Sequence, residues 1–135
     1  MNEVDRVMTA LYPKAEITVT DAGHVAVASF HPQPEHRGNP GWLQGGLAAT
    51  VLDHVSARAA GAALAARVVT GTLDLRYPHP VPLDGGPYRV EAIASGARGR
   101  MVRVSAELTD GLGRALVEAR GLFLVRPGPA GADDR

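Results

Sequence analysis

The sequence predicts an α+β fold in which one long helix packs against a mainly antiparallel β-sheet. Small and aliphatic residues recur at helical spacing from about residue 45 to residue 63 without a proline, which predicts a single long helix. Four runs rich in strand-forming residues follow, at 68–77, 88–95, 101–108 and 115–125, with turn-forming residues between them. Because these runs follow one another without intervening helices, we expect antiparallel strands that cover the helix.

Shorter elements precede the long helix. Residues 2–12 carry apolar side chains at helical spacing and end at Pro13, so we expect a short N-terminal helix. Alternating runs between residues 17 and 30 flank the turn-forming residues 21–23, which predicts a β-hairpin. Residues 31–40 contain three prolines and no aliphatic residue, and this composition predicts a long loop.

Composition excludes several classes of function. The 135 residues suit one domain, which we expect over residues 1–125, with a disordered tail at 126–135. Basic and acidic residues balance at 14 each, so we expect neither nucleic acid nor a membrane as a partner. Without cysteine or a long apolar segment, the chain is expected to be soluble and cytoplasmic. The histidine spacings match no standard ligand pattern, so no metal and no separate cofactor are expected.

The long helix has two unlike faces. One is broad and aliphatic, which suits packing on a sheet. Asp53 lies on another face, among glycine and alanine, and no cationic residue lies one helical turn away. Small residues there indicate close approach by a ligand or another backbone; an exposed Asp53, or one held by hydroxyls for structure, is the alternative. The aliphatic face comprises Leu47, Val51, Leu52, Val55 and Ala59; the Asp53 face comprises Gly46, Ala49, Ala57 and Ala60, with Thr50 and Ser56 at its edges.

The helix start and Asp53 together suggest acyl chemistry. The first N–H groups of a helix have no partner within it, so those at Gly45 and Gly46 can polarise a carbonyl. A carboxylate can activate water or attack an acyl carbon directly. Asp53 lies about 10.5 Å along the axis from Gly46, which is too far for one helix to apply both groups to the same carbonyl. Two antiparallel copies of the helix would bring them together, so we expect a homodimer with two composite sites.

Two sequence motifs stand out, one at the start of this helix and one on the strand that follows it. They are Asn39-x-Gly41-x-x-Gln44-Gly45-Gly46 with Asp53 seven positions on, and Val69-Thr70-Gly71-Thr72-Leu73-Asp74-Leu75-Arg76-Tyr77 followed by Pro78-His79-Pro80. This pattern, which extends from about residue 25 to residue 125, resembles the hotdog-fold thioesterases of the phenylacetate-pathway (PaaI-like) type. The resemblance implies a hotdog fold, a long central helix wrapped by a curved antiparallel sheet, with active sites at a dimer interface and an acyl-CoA substrate. Whether dimers pair into tetramers stays open.

The resemblance also implies roles by position. Asp53 would be the general base or the nucleophile, and the N–H of Gly45 would polarise the thioester carbonyl. Asn39 would position water or substrate, although an asparagine before proline is equally a loop residue. Thr70 falls where relatives commonly have a Ser or Thr that orients the attacking water.

Four further residues are candidates at the site. Gln44 stands where the family usually has His, and an amide can donate a hydrogen bond but cannot shuttle a proton near neutral pH. Trp42 would be either a hydrophobic staple of the helix or a wall of the substrate pocket. Arg98 and Arg100 lie on a glycine-rich turn, which is either a solvated hairpin or a clamp for the phosphates of coenzyme A.

An acyl-CoA thioesterase is therefore the function expected from the sequence. A non-catalytic module of the same fold that binds acyl-CoA or lipid is the alternative. A hotdog hydratase or dehydratase would generally need an Asp–His pair. Asp53 and His54 do not supply one, because adjacent helix residues diverge by about 100°.

Overall fold

Within residues 16–126 the fold is one α-helix covered by one antiparallel sheet, the arrangement that the sequence predicts for this part of the chain. A computed structural model describes residues 16–126; the predicted N-terminal helix, and the predicted tail apart from Arg126, lie outside this range. The six strands pair in the order β1-β2-β4-β5-β6-β3, so β3 lies at an edge of the sheet. The elements are β1 (Glu16–Ala22), β2 (Val25–His31), a 3-10 turn (Pro34–His36), α1 (Gly45–Leu64), β3 (Val68–Arg76), β4 (Tyr88–Arg98), β5 (Met101–Thr109) and β6 (Ala115–Val125).

The core lies between the aliphatic face of α1 and the inner face of the sheet. Side chains of β4 and β5 alternate between buried and exposed along most of each strand, as expected when one face of a sheet covers a helix. The predicted aliphatic face of α1 is at most 1% exposed at every position, and this face is confirmed; its residues are Leu47, Val51, Leu52, Val55 and Ala59.

The element ends differ from the predicted ones by a few residues. The helix ends at Leu64 rather than residue 63, and the predicted 31–40 loop includes the 3-10 turn. β4 continues to Arg98, beyond the predicted end at residue 95, because Arg98 pairs with Met101 across a short turn. That turn places Arg100 between the two strands and Arg98 at the end of β4.

A β-bulge interrupts β3 at Gly71. Thr70 and Thr72 oppose consecutive residues of β6, which leaves Gly71 as the extra residue. A Cβ at Gly71 would lie 3.0 Å from the carbonyl oxygen of Leu122, so the close approach of β6 favours glycine there. The bulge shifts the alternation of side chains by one residue. Thr70 therefore faces the helix together with Leu73, although an unbroken strand would turn them to opposite faces.

Within the described range, no helix combines the length and the apolarity that crossing a membrane requires.

Candidate active site

The start of α1 is fixed by the loop that precedes it. The Gln44 N–H donates to the His36 carbonyl over 2.9 Å, and the Leu43 N–H donates to the Val81 carbonyl over 2.8 Å. A Cβ at Gly38 would lie 3.1 Å from the Gln44 Cα, so the loop reaches this close only with glycine there. The loop and the first turn of the helix therefore form one packed unit.

Two main-chain N–H groups at the helix start are available to a ligand. The N–H groups of Gly45 and Gly46 have no acceptor within residues 16–126, and both residues are exposed. The oxygens of the same two peptide units do have partners. The Gln44 carbonyl accepts two N–H groups of the first turn at 3.1 and 3.2 Å, and the Gly45 carbonyl accepts the Tyr77 hydroxyl over 2.7 Å. Donors held in this way can polarise a carbonyl without rearrangement.

An open depression of about 610 Å³ adjoins the helix start. It brings four of the predicted site residues together, and Trp42 is 42% exposed in its wall. The Asn39 carbonyl accepts the Trp42 N–H over 2.9 Å, so Asn39 also has a part in a turn. The lining residues are Gly38, Asn39, Trp42, Leu43, Gln44, Gly45 and Pro80.

Asp53 forms a second part of the site with Thr70. The Thr70 hydroxyl donates to Asp53 Oδ1 over 2.8 Å, and Asp53 is half-buried. Among the described residues, Asp53 Oδ2 accepts no hydrogen bond and no cation pairs with the carboxylate. While its proton is directed to Asp53, the Thr70 oxygen keeps lone pairs that can accept a hydrogen bond from water. The carboxylate is therefore positioned by one hydroxyl and retains an oxygen that can take a proton.

One protomer does not bring these two parts together. Asp53 is not among the residues that line the depression, and eight residues of helix separate it from Gly45, a distance of about 12 Å along the axis. The small-residue face between them is only partly covered, because Ala49, Thr50 and Ala57 are half-buried. This face is open to a second surface from the helix start to about Ala57.

Two residues that the helical projection places on or beside this face are buried instead. Ser56 is 1% exposed and Ala60 is 0% exposed. Both lie in the C-terminal half of α1. On the opposite side, Arg58 pairs with Asp21 of β1 over 2.9 Å.

Arginines collect at one end of the sheet. Arg100 and Arg98 belong to the β4–β5 hairpin, and the Arg100 carbonyl accepts the N–H of Val125, the last residue of β6, over 2.8 Å. The next N–H, that of Arg126, donates to the carbonyl of Arg67 over 2.8 Å. Arg67 precedes Thr70 by three residues, about 10 Å of extended chain. The sequence pattern does not indicate Arg67, because only the strand pairing brings it beside the hairpin.

Tyr77 is a further residue at the site for which the sequence predicts no role: its hydroxyl reaches the helix start from a point 32 residues further along the chain. Burial raises the pKa of Tyr77 above its ordinary value of 10.0, so the hydroxyl remains a donor at neutral pH. Within residues 16–126, no group of three or more His, Asp or Glu side chains is arranged to hold a metal ion.

Solved structures of other proteins share this fold. The PaaI protein of the E. coli phenylacetic acid degradation operon has a TM-score of 0.79 at 13% identity, over 92% of this chain and 91% of that chain. Zebra fish thioesterase superfamily member 2 has a TM-score of 0.75 at 17% identity, over 91% and 96%. The protein smu.793 of Streptococcus mutans UA159, solved bound to acetyl CoA, has a TM-score of 0.77 at 13% identity, over 84% and 90%.

No family model matches this chain, and no curated protein matches its sequence. At identities of 13–17%, the similarity to these solved structures shows a shared fold and nothing finer. Together with one long helix and a six-stranded antiparallel sheet, it confirms at that level the resemblance inferred from the residues: the chain has the hotdog fold of the PaaI and thioesterase superfamily proteins.

Proposed function

We propose that this chain is an acyl-CoA thioesterase that acts as a homodimer with two composite sites. The observation that carries the proposal is the Asp53–Thr70 pair on the same open helix face as the N–H groups of Gly45 and Gly46. A two-fold axis across this face sets the helix start of one protomer against Asp53 of the other.

The glycine pair supports an approach from outside the protomer. Glycine costs about 1 kcal/mol relative to alanine within a helix. At Gly46 a Cβ would meet nothing within 4 Å, and at Gly45 it would make only ordinary contact with the Tyr77 ring at 3.7 Å. Packing within one protomer therefore does not require either glycine. A ligand carbonyl or a partner backbone that must come close to the N–H groups does require them.

The exposed edge of β3 supports the dimer. β3 pairs only with β6 in the described sheet, so its other side presents unpaired main-chain groups. Proteins rarely leave a strand of nine residues uncovered in this way. Pairing with the same edge of a second copy would complete the hydrogen bonds and place the two small-residue faces together.

In the proposed reaction, the thioester oxygen accepts hydrogen bonds from the Gly45 and Gly46 N–H groups of one subunit. Asp53 of the other subunit takes a proton from a water molecule oriented by Thr70, and the water oxygen attacks the acyl carbon. The tetrahedral intermediate then expels the thiolate of coenzyme A as the C–S bond breaks, which leaves the carboxylic acid. Direct attack by the Asp53 carboxylate on the acyl carbon is the second route; the C–S bond breaks, the thiolate leaves, and the resulting anhydride is hydrolysed by water in a later step.

The remaining site residues contribute to binding. Gln44 and Asn39 line the depression beside Gly45, where their amides can donate hydrogen bonds to the acyl group or to water. Trp42 supplies an apolar wall. Arg98 and Arg100 are the proposed partners of the coenzyme A phosphates, since guanidinium groups bind phosphate with two parallel hydrogen bonds. No cofactor enters the reaction.

Thiol release from a panel of acyl-CoA esters tests the proposal. Loss of a general base costs about 10²- to 10⁴-fold, and we expect this loss in kcat for Asp53→Ala and for Asp53→Asn, with the dimer intact by analytical ultracentrifugation. The chain lacks cysteine, so a colorimetric thiol reagent has no background from the protein. Full activity in Asp53→Ala would refute the proposal. A dimer that binds acyl-CoA without any turnover would favour the non-catalytic binding module.

A single turnover in H₂¹⁸O detects the nucleophilic route. Attack by water on the thioester puts ¹⁸O into the acid product and leaves Asp53 unlabelled. Attack by Asp53, followed by water at the Asp53 carboxyl of the anhydride, gives an unlabelled first product and leaves ¹⁸O in the Asp53 side chain. Water at the acyl carbon of the anhydride labels the product as direct attack does, so ¹⁸O in the peptide that contains Asp53, measured by mass spectrometry, is the result that identifies the nucleophilic route.

A further inference from the structure

We infer that Tyr77 is a positioning residue, whose hydroxyl orients and polarises the peptide unit between Gly45 and Gly46 at the point where the substrate carbonyl binds. The inference rests on the proposed function and adds a residue to it.

The geometry concerns one peptide unit. Its oxygen, Gly45 O, accepts the Tyr77 hydroxyl over 2.7 Å. Its N–H, that of Gly46, has no acceptor within residues 16–126. Hydrogen bonding at the oxygen of an amide draws charge toward that oxygen and makes the N–H a stronger donor, and chains of hydrogen bonds strengthen one another in this way by about 10–30% per bond. Tyr77 therefore acts on the group that the proposal assigns to the substrate carbonyl.

The same contact restrains a flexible part of the chain. Two successive glycines begin α1, Gln44 provides no side-chain cap, and glycine has more backbone freedom than any other residue. The Tyr77 ring lies beside Gly45, where a Cβ would contact it at 3.7–3.8 Å. The Thr50 hydroxyl also donates to the next carbonyl, Gly46 O, over 2.9 Å. Two side chains thus hold the carbonyls of the glycine pair, and of these two contacts the one from Tyr77 restrains the peptide unit that carries the free Gly46 N–H.

Tyr77 is suited to this task by its place at the end of β3. The bulge at Gly71 sets the alternation of the strand, and in this phase Leu73 and Leu75 pack on the core. Position 77 is next in the same series. Its ring therefore reaches the helix start from the strand that also carries Thr70. β3 and the residue that follows it thus contact both parts of the site, through Thr70 at Asp53 and through Tyr77 at Gly45.

The variant Tyr77→Phe tests the inference, because it keeps the ring and removes the hydroxyl. Loss of an oxyanion donor itself lowers kcat by about 10²- to 10³-fold. Because Tyr77 only supports such a donor, we expect Tyr77→Phe to lower kcat by about 3- to 10-fold and to leave KM within about twofold of wild type. The Gly46 amide resonance in the ¹H–¹⁵N spectrum should move in the ligand-free protein. Tyr88→Phe is the matched control, since Tyr88 also donates to a main-chain carbonyl, that of Pro82. It should lower stability without changing kcat.

The outcomes separate the inference from the proposed function. An unchanged kcat in Tyr77→Phe, a Gly46 resonance that stays in place, or a rise in KM at constant kcat would overturn the inference while the thioesterase remains. No thiol release by the wild-type dimer from any ester would overturn the proposed function, and the catalytic role of Tyr77 with it. A lower kcat with unchanged KM and a displaced Gly46 resonance supports both.

Discussion

Leu52 and Asp53 are neighbours in sequence and belong to different regions of the molecule. Leu52 is 0% exposed on the aliphatic face of α1, where the sheet covers it. Asp53, about 100° further around the helix, is half-buried and accepts a hydrogen bond from Thr70 of the edge strand β3. The first face is fully covered within one protomer. Within residues 16–126, the second face leaves small residues at least partly exposed and leaves two N–H groups and a carboxylate oxygen without hydrogen-bond partners. Stability should therefore depend on one face and turnover on the other.

The largest expected effect is on the aliphatic face. Leu52→Ala should lower the free energy of unfolding by about 2–5 kcal/mol, because it removes buried methyl groups and leaves a cavity. Guanidinium unfolding of the variant measures the loss. Under conditions where the variant is folded, its kcat should equal that of wild type. A fall in kcat comparable with that of Asp53→Ala would show that the two faces are not separable.

A charged substitution on the small-residue face should weaken the dimer. Ala57→Glu would place a carboxylate in the proposed dimer interface, and burying an unpaired charge should raise the dissociation constant of the dimer by about 100-fold. Sedimentation velocity over a concentration series measures it, and thiol release should fall in parallel with the dimer. Leu112→Glu, at a turn residue that is 94% exposed, is the control. A dimer that tolerates Ala57→Glu would locate the interface elsewhere.

A smaller effect is expected where β3 meets the helix. Thr70→Val keeps the shape of the side chain and removes the hydrogen bond to Asp53, which should lower kcat by about 10-fold, since hydrogen bonds to charged groups contribute about 1.5–3 kcal/mol. Thr70→Ser restores the hydroxyl and should recover most of the rate. Equal activities of the Val and Ser variants would mean that Thr70 has no part in orienting the water.

The smallest effect should come from the arginine end of the sheet. Replacement of Arg98 and Arg100 by Gln should raise KM for acyl-CoA by about 5-fold, because each exposed charge contact contributes only about 0.2–1 kcal/mol. Acyl-pantetheine esters, which lack the nucleotide phosphates, should be hydrolysed as by wild type. Arg89→Gln is the control, since Arg89 already pairs with Glu91 over 2.8 Å. An equal rise in KM for both ester types would exclude a phosphate clamp.

Periodicity was sufficient to predict most of the fold. The aliphatic face of α1, the hairpin and the strands follow from spacing alone, because burial imposes a period on each element. Which side chains of β3 face the helix did not follow from spacing, since one extra residue at Gly71 changes the alternation and turns Thr70 inward. A glycine within a strand was the signal that could have indicated the bulge. Tyr77 could not be found in this way. Its contact with Gly45 depends on how the strand crosses the helix, which no local pattern records.

The bulge lets β3 carry one residue more than its partner strand without changing the face that Thr70 occupies. Thr70 and Thr72 already oppose consecutive residues of β6, so a chain lacking Gly71 would pair them as ordinary strand neighbours and keep Thr70 toward Asp53. A chain in which Gly71 instead took a regular place in the ladder would turn Thr70 away from Asp53, while Leu73 and Leu75 kept their places on the core. Loss of the single codon for Gly71 should therefore leave the proposed hydrolysis intact, and a Gly71-deletion variant that still cleaves acyl-CoA would display that tolerance directly.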